Sequence, residues 1–240
     1  MEINYLAIIP ARSGSKGLPD KNIKKICGKT LIEIAVLNAK KVEKIDGIFF
    51  TSDSEDYIKI YKKLNIKNDV TYDYVRPKNI SDDTSPSSDY IIDCLDFLEK
   101  KNIKVKNIVL LQVTSPLRQY THIISAINEY ENENKTSLVS VNESVNHPCN
   151  TLILKDEIYI PITKFSFTRR QDFKNSATLN GAIYIVTSDE YKKTNVFINT
   201  NTILFFMDKI LSIDIDDEQD FYLAELIYSD LLNQKVIEKI

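Results

Sequence analysis

Fifteen residues, IIPARSGSKGLPDKN (8–22), gather Arg12, Lys16 and Lys21 beside two glycines and two serines, with Asp20 as their single acid. Cations on a glycine-containing turn suit one small, multiply charged anion. Arg12 can fork two hydrogen bonds to a phosphate, while the lysines act as point charges on longer stems. Gly14 and Gly17 let backbone amides come close to such an anion. A triphosphate is the natural guest.

A second set of candidates lies near the other end, where SIDIDD (212–217) alternates isoleucine with aspartate. Residues two apart in a strand share a face. Ile213 and Ile215 are therefore expected to face the core, with Asp214 and Asp216 pointing together at a ligand. Paired carboxylates, completed by water and phosphate oxygens, suit Mg2+. The competing role for Asp216 is a cap on the helix that follows, with Asp217 and Glu218 at its positive end. That role leaves Asp214 unexplained.

Two familiar phosphate motifs fail. GKT (28–30) looks like the end of a Walker A loop, but Ile23 stands where that loop needs glycine, and the preceding strand is too far away. Thr30 reads instead as a residue near a helix cap. No G-x-G-x-x-G is present, so dinucleotide binding has no support.

Positioning such groups takes a buried sheet. YLAII (5–9) is a continuous apolar run, as expected of a strand covered on both faces. Helical spacing begins near Thr30 with Leu31, Ile34, Ala35 and Val42. GIFFTSD (47–53) reads as a second strand, followed by a helix over about 54–64. A helix over about 87–100 precedes the strand NIVLLQV (107–113), and another over about 120–133 precedes SLVSV (137–141). GAIYIV (181–186) and ILSIDID (210–216) read as further strands. A C-terminal helix then places Phe221, Ala224, Ile227 and Leu231 on one face. This rhythm predicts an α/β fold of three layers with a mostly parallel sheet, and ligands at the carboxyl ends of its strands. Residues 144–178 break it. TLILKDEIYIPI reads as two extended arms around a Lys-Asp-Glu turn, an antiparallel excursion from one domain spanning 1–240. Such an arm could cover the site or pair with a second subunit.

Composition narrows the partners. With 240 residues, 43% hydrophobic and 27% charged content and a net charge of -3, the chain reads as an ordinary soluble protein without the basic face of a general nucleic-acid binder. Cys27, Cys94 and Cys149 are widely spaced and form no C-x-x-C pair, so neither a zinc site nor a disulfide framework is expected. No apolar run approaches the roughly 18 residues of a membrane span. MEINYLAIIP lacks the basic residues and apolar length of a signal peptide, which leads to the expectation of a cytoplasmic protein.

The opening stretch closely resembles the first signature of the acylneuraminate cytidylyltransferases. The likeness continues through VRPKNISDDTSPSSD (75–89), LLQVTSPLR (110–118), NHP (146–148), RRQD (169–172), NGAIYI (180–185) and SIDIDDEQDF (212–221), in order along nearly the whole chain. The resemblance implies a nucleotide-diphospho-sugar-transferase-like (Rossmann-like) fold. It also implies transfer of CMP from CTP to the anomeric hydroxyl of a nine-carbon ulosonic (sialic) acid, with release of pyrophosphate and use of Mg2+.

By the same resemblance, Arg12, Ser15, Lys16, Lys21 and Asn22 cradle the triphosphate, with Lys21 on the α-phosphate side. Arg76 and Ser87 meet the cytosine and ribose, although Ser87 also suits a helix's first turn. Gln112, Arg170, Gln171, Asn180 and Tyr184 belong to the sugar pocket. Arg170 and Arg12 join Lys21 as catalytic residues, and Arg169 is the alternative to Arg170. Asp214 and Asp216 hold the metal. Arg118 reads as structural and Tyr184 equally as sheet packing. A homodimer is expected, built through the arm at 144–178. Asn150 and Thr178 stand where some relatives carry lysine and arginine, which leaves legionaminic or pseudaminic acid open as the sugar. A non-catalytic nucleotide-binding relative is the reading from a different class. It should have lost cradle cations or metal carboxylates.

Overall fold

The computed structural model describes residues 1–82, 84–133, 135–144, 147–163 and 175–237. Six strands build one sheet: β1 (Glu2–Pro10), β4 (Gly47–Thr51), β5 (Lys104–Leu110), β6 (Ser137–Glu143), β9 (Ala177–Thr187) and β10 (Thr202–Phe206). Between β1 and β4, Lys25–Ile26 (β2) and Lys29–Thr30 (β3) form a small antiparallel ribbon. The sheet order is β10-β6-β9-β5-β1-β4. β1 runs parallel to β4 and β5, β10 runs parallel to β6, and β9 lies antiparallel between β5 and β6. The sheet is therefore mostly parallel.

Helices cover both faces. α1 (Leu31–Lys40), α2 (Glu55–Lys63), α4 (Tyr120–Asn132) and α6 (Glu218–Asn233) pack on one side, over Tyr5, Ala7, Ile9, Val109 and Ile183. α3 (Ser87–Lys100) and α5 (Ser188–Thr194) pack on the other, over Leu6, Ile8, Phe49, Ile108 and Val186. Alternate residues of one strand thus serve opposite cores, which is why β1 reads as unbroken apolar sequence. α1 opens as its sequence suggests: the Thr30 hydroxyl accepts from the Glu33 amide, and the Glu33 carboxylate accepts from the Thr30 amide.

One expected strand is absent. Ile210–Ser212 forms a single 3-10 turn, and 213–217 is an extended segment outside the sheet. The sixth sheet position belongs to Thr202–Phe206, beside β6. The isoleucines still turn inward, because the Ile215 amide donates to the Thr114 carbonyl at 2.9 Å and its side chain is fully buried. A single backbone bond to a loop therefore gives the alternation that resembled a strand.

The excursion contains an antiparallel hairpin, β7 (Leu152–Lys155) with β8 (Ile158–Pro161). Its two-residue turn, Asp156–Glu157, has positive φ at both positions (50° and 66°), the primed geometry that follows strand twist. Leu152, Ile153, Leu154, Ile158 and Tyr159 are all exposed.

Candidate active site

The basic loop leaves the carboxyl end of β1, between β4 and β5. Leu18, 5% exposed, plugs it into the core, and the Asn22 amide donates to the Arg12 carbonyl at 2.9 Å, stapling its end to its start. Asp20 adopts a left-handed conformation (φ 53°) that turns the chain into the short 3-10 helix Lys21–Ile23. At Gly17, a β-carbon would collide with the backbone carbonyl oxygen of Asp216. The loop and the acidic segment therefore touch through backbone, and glycine is needed at the contact.

A cavity of about 630 Å³ opens beside this contact. Arg12, Ser15, Lys16, Lys21 and Asn22 line it on the loop side, Arg76 and Ser87 from the segment leading into α3, and Gln112, Asp214 and Asp216 on the remaining side. The structure thus brings ten of the anticipated site residues to one cavity. Ser87 is the first residue of α3, whose cap position is Pro86, so it occupies a helical first turn and lines the cavity as well.

Arg76 is almost wholly buried. Its Nε donates to the Thr51 hydroxyl at 3.0 Å, its NH2 group to the Thr51 carbonyl at 2.6 Å, and its guanidinium lies 4.6 Å from the Tyr90 ring centre. Burial lowers its pKa, with Tyr90 among the groups opposing the shift. Arginine nonetheless stays charged at such sites. Gln112 lies two residues past the end of β5, half-buried, so its amide opens to the cavity and needs no partner inside the sheet.

Asp214 and Asp216 differ in setting. Burial, and then the charge of Asp216, raise the Asp214 carboxyl, while Thr114 and Lys21 oppose the rise. Its Oδ1 is buried without a hydrogen-bond partner. Asp216 is largely exposed, with its Oδ1 3.5 Å from Lys21 Nζ. The helix cap is Asp217: its carboxylate accepts from the Gln219 and Asp220 amides at 2.8 and 3.0 Å. Capping by Asp216 is thereby corrected, since the chain turns into α6 one residue later. Among the described residues, no group of three or more His, Cys, Asp or Glu side chains forms a metal cage. An orphan buried carboxylate oxygen beside an exposed carboxylate still fits a hard cation that keeps several waters and shares substrate phosphates.

Asn180 and Tyr184 do not line the cavity. Asn180 Oδ1 accepts from the Ser140 hydroxyl (2.6 Å) and the Ala182 amide (3.2 Å), and its Nδ2 donates to the Ser212 hydroxyl (2.9 Å). It holds the irregular pairing of β6 with β9 and the turn of Gly181 (φ 73°), where a β-carbon would sit 2.9 Å from Gln112 Oε1 and 3.2 Å from Asp214 Oδ2. Tyr184 packs its half-buried ring against Phe197 at 5.2 Å; burial and then Asp214 raise its pKa. Arg169, Arg170 and Gln171 lie outside the described residues.

Two further charged residues brace the site: Arg118, expected as structural, and Asp53, to which no sequence signal pointed. Arg118, 1% exposed, donates from one nitrogen to the Gln112 carbonyl (2.9 Å) and the Ala182 carbonyl (2.7 Å), clamping the end of β5 to β9. Burial pulls its pKa down to about 9, against the pull of Asp214, so it remains charged at neutral pH. Asp53 accepts from both the Ser13 amide and the Ser13 hydroxyl. Burial alone would raise the Asp53 carboxyl; these bonds and the charge of Arg76 hold it below the ordinary range.

A mostly parallel sheet with a cationic loop after its first strand and a cavity at the strand ends is the architecture of the α/β nucleotidyltransferases. The chain belongs to the cytidylyltransferase family, whose model matches residues 6–218. It is 35% identical over 221 residues to the N-acylneuraminate cytidylyltransferase of Streptococcus agalactiae serotype V, covering 90% of this chain and 51% of that protein. It is 29% identical over 226 residues to the pseudaminic acid cytidylyltransferase of Campylobacter jejuni, covering 93% and 95%. The chain thus spans about half the length of the first relative and nearly all of the second. Its fold is similar to that of a CMP:2-keto-3-deoxy-manno-octonic acid synthetase complexed with CTP, with a TM-score of 0.68 over 95% of this chain and 99% of that one. At 12% identity that likeness concerns the fold. No helix among the described residues is long and apolar enough to cross a membrane.

Proposed function

We propose that the chain transfers CMP from CTP to the anomeric hydroxyl of a nine-carbon ulosonic acid of the sialic type, releasing pyrophosphate. The observation that carries this reading is the convergence of the loop cations and of Asp214 with Asp216 on one cavity at the carboxyl ends of the strands. Arg12, Ser15, Lys16 and Asn22 would hold the triphosphate, and Arg76 and Ser87 the nucleoside. Attack on the α-phosphorus builds negative charge on the leaving pyrophosphate, and a preplaced ammonium at Lys21 lowers that barrier. Asp214 and Asp216 would hold Mg2+, which supplies charge neutralisation at phosphate oxygens and a lowered pKa for a bound hydroxyl or water. Gln112 would face the sugar side, and the family resemblance assigns Arg170 and Gln171 to the same substrate. Asn180 acts there through Gly181 and the strand ends that it fixes.

Retention of every cradle cation and both carboxylates speaks against a non-catalytic nucleotide-binding relative. The second reading within the family is a cytidylyltransferase for pseudaminic or legionaminic acid, favoured by the nearly end-to-end match with the pseudaminic enzyme. Incubation with CTP, magnesium and a panel of sialic, legionaminic and pseudaminic acids, followed by pyrophosphate release, tests the proposal. Turnover with sialic acid at the highest kcat/KM is the expected result. A preference for another acid moves the assignment to that sugar, and no release with any acid overturns the catalytic reading.

A further inference from the structure

The loop's first half turns through Gly14. Gly14 is in the left-handed region (φ 74°), and a β-carbon there would meet nothing within 4 Å. Its neighbour Ser13 is nonetheless fixed at both polar hydrogens, the amide by Asp53 Oδ1 at 2.8 Å and the hydroxyl by Asp53 Oδ2 at 2.6 Å. Asp53 itself does not line the cavity. A carboxylate this close to an anion site repels the anion, so its presence calls for a compensating job.

The job is visible in what else its segment holds. Thr51 and Ser52, just before it, fix Arg76 through three bonds: Arg76 Nε and NH2 to Thr51, and the Arg76 amide to the Ser52 carbonyl at 2.8 Å. The Thr51 carbonyl also accepts from the Ala11 amide at 3.0 Å, at the root of the loop. On the loop's far side, the Tyr57 hydroxyl of α2 donates to Asp20 at 3.5 Å. Residues 51–53 are thus a common anchor for the loop and for Arg76, which line one cavity.

We infer that Asp53 is a positioning residue that presets the basic loop for the triphosphate and fixes its distance from Arg76. This rests on the proposed CTP reading of the cavity. A loop carrying Arg12, Lys16 and Lys21 gains from such a tether, because ordering it on binding would otherwise weaken the nucleotide's affinity. The bonds to Ser13 are charge-assisted and so stronger than neutral ones.

Four variants test it: Asp53→Ala, Asp53→Asn, Ser13→Ala and the double of Asp53→Ala with Ser13→Ala. Asp53→Ala should raise KM for CTP at least about tenfold, the factor expected for a charge-assisted hydrogen bond, Ser13→Ala by less because its backbone amide keeps the bond to Asp53, and neither should change KM for the acid. The double variant should resemble Asp53→Ala, because Ser13→Ala removes only the hydroxyl's bond, which Asp53→Ala already breaks together with the amide's. Asp53→Asn, which keeps an acceptor for the Ser13 amide, should recover part of the loss. Hydrogen exchange without ligand gives a readout independent of catalysis: amides at 13–17 should exchange at least about tenfold faster in Asp53→Ala. Additive effects, equal rises in both KM values or unchanged exchange would overturn the inference. An inactive wild-type protein would instead defeat the CTP reading, and exchange would still decide the role of Asp53.

Discussion

Lys21 and Asp216 meet across the seam between the basic loop and the acidic segment, Nζ 3.5 Å from Oδ1, while the same ammonium donates to the Ile215 carbonyl at 2.7 Å. The cation is therefore docked on the strip that carries both candidate metal carboxylates. A lysine side chain held by a backbone carbonyl has already given up much of its rotamer freedom. In the proposed reaction it would stand beside the phosphate on which charge develops.

Lys21→Ala should accordingly reduce turnover by about two to three orders of magnitude at saturating substrates, as for loss of one preorganised transition-state partner. Melting temperature should change little, because the lysine is not part of the core. Steady-state kinetics with CTP and the accepted acid decide it, and near-normal kcat would remove Lys21 from the mechanism.

Gly17→Ala tests the seam itself. The added methyl would run into the Asp216 carbonyl, which is backbone and cannot swing aside. Loop and acidic segment must then separate by a fraction of an ångström to an ångström. Misplacement on that scale costs up to about a hundredfold in rate. The expected outcome is a fall in kcat with the fold retained by circular dichroism. An unchanged kcat would show that the seam is free to open without consequence.

Local chemistry accounts for what could be read in advance. Thr30 and Glu33 form a capping box within four residues, and the loop's cations sit in one unbroken stretch, so both are visible without a fold. The acidic segment misled because Ile213 and Ile215 alternate with aspartates as a strand would, although it pairs with no strand and its Ile215 amide donates to the loop carbonyl of Thr114 instead. Its sheet position went to Thr202–Phe206, whose half-exposed edge leaves a weaker apolar pattern. Asp53 and Ser13 lie 40 residues apart, and no periodicity links them. Arg118 was legible as structural but not as buried: arginine is usually exposed, and here the carbonyls of Gln112 and Ala182 with the charge of Asp214 make burial tolerable.

The exposed hairpin carries a prediction about assembly. Leu152, Ile153, Leu154, Ile158 and Tyr159 present apolar side chains from both strands, and an isolated two-stranded ribbon is marginal in water. Pairing with a second copy would bury them. Ultracentrifugation at micromolar concentration should find a dimer, and Leu154→Asp with Ile158→Asp should shift it to monomer. A wild-type monomer would sink the idea, and a dimer indifferent to both substitutions would move the interface off the arm.

Asp214→Asn separates stability from function. The wild-type carboxylate is held partly out of water with one oxygen unpartnered, and its pKa lies above the usual 3.8. At neutral pH its ionised form is therefore a cost to the folded protein in the absence of ligands. Asn removes the charge at nearly constant shape, so Tm without magnesium or CTP should rise. A gain of about 1 kcal/mol corresponds to roughly 2–4 °C in a chain of this size. Magnesium with CTP should raise the Tm of the wild type and leave that of the variant unchanged. A lower Tm without ligand would mean that the charge serves the fold, with Arg118 as its counterpart.

Asp216 and Asp217 are neighbours with different jobs, and exchanging the two tests exposes each. Asp217 accepts two amides of the first turn of α6, while the Asp216 carboxylate reaches into the cavity beside Lys21. Asp216→Asn keeps shape and removes charge, so it should fold normally, retain CTP binding and lose about three orders of magnitude of magnesium-dependent turnover. Asp217→Ala removes the cap, which costs about 1 kcal/mol, and should lower Tm by a few degrees with kcat largely kept. Thermal melts and magnesium titrations of both variants read the two roles side by side. If Asp216→Asn melts early yet turns over at the wild-type magnesium optimum, its charge belongs to the helix start and the metal ligands lie elsewhere. If Asp217→Ala loses turnover with an unchanged melt, the acid that follows the segment, and not Asp216, is the second ligand.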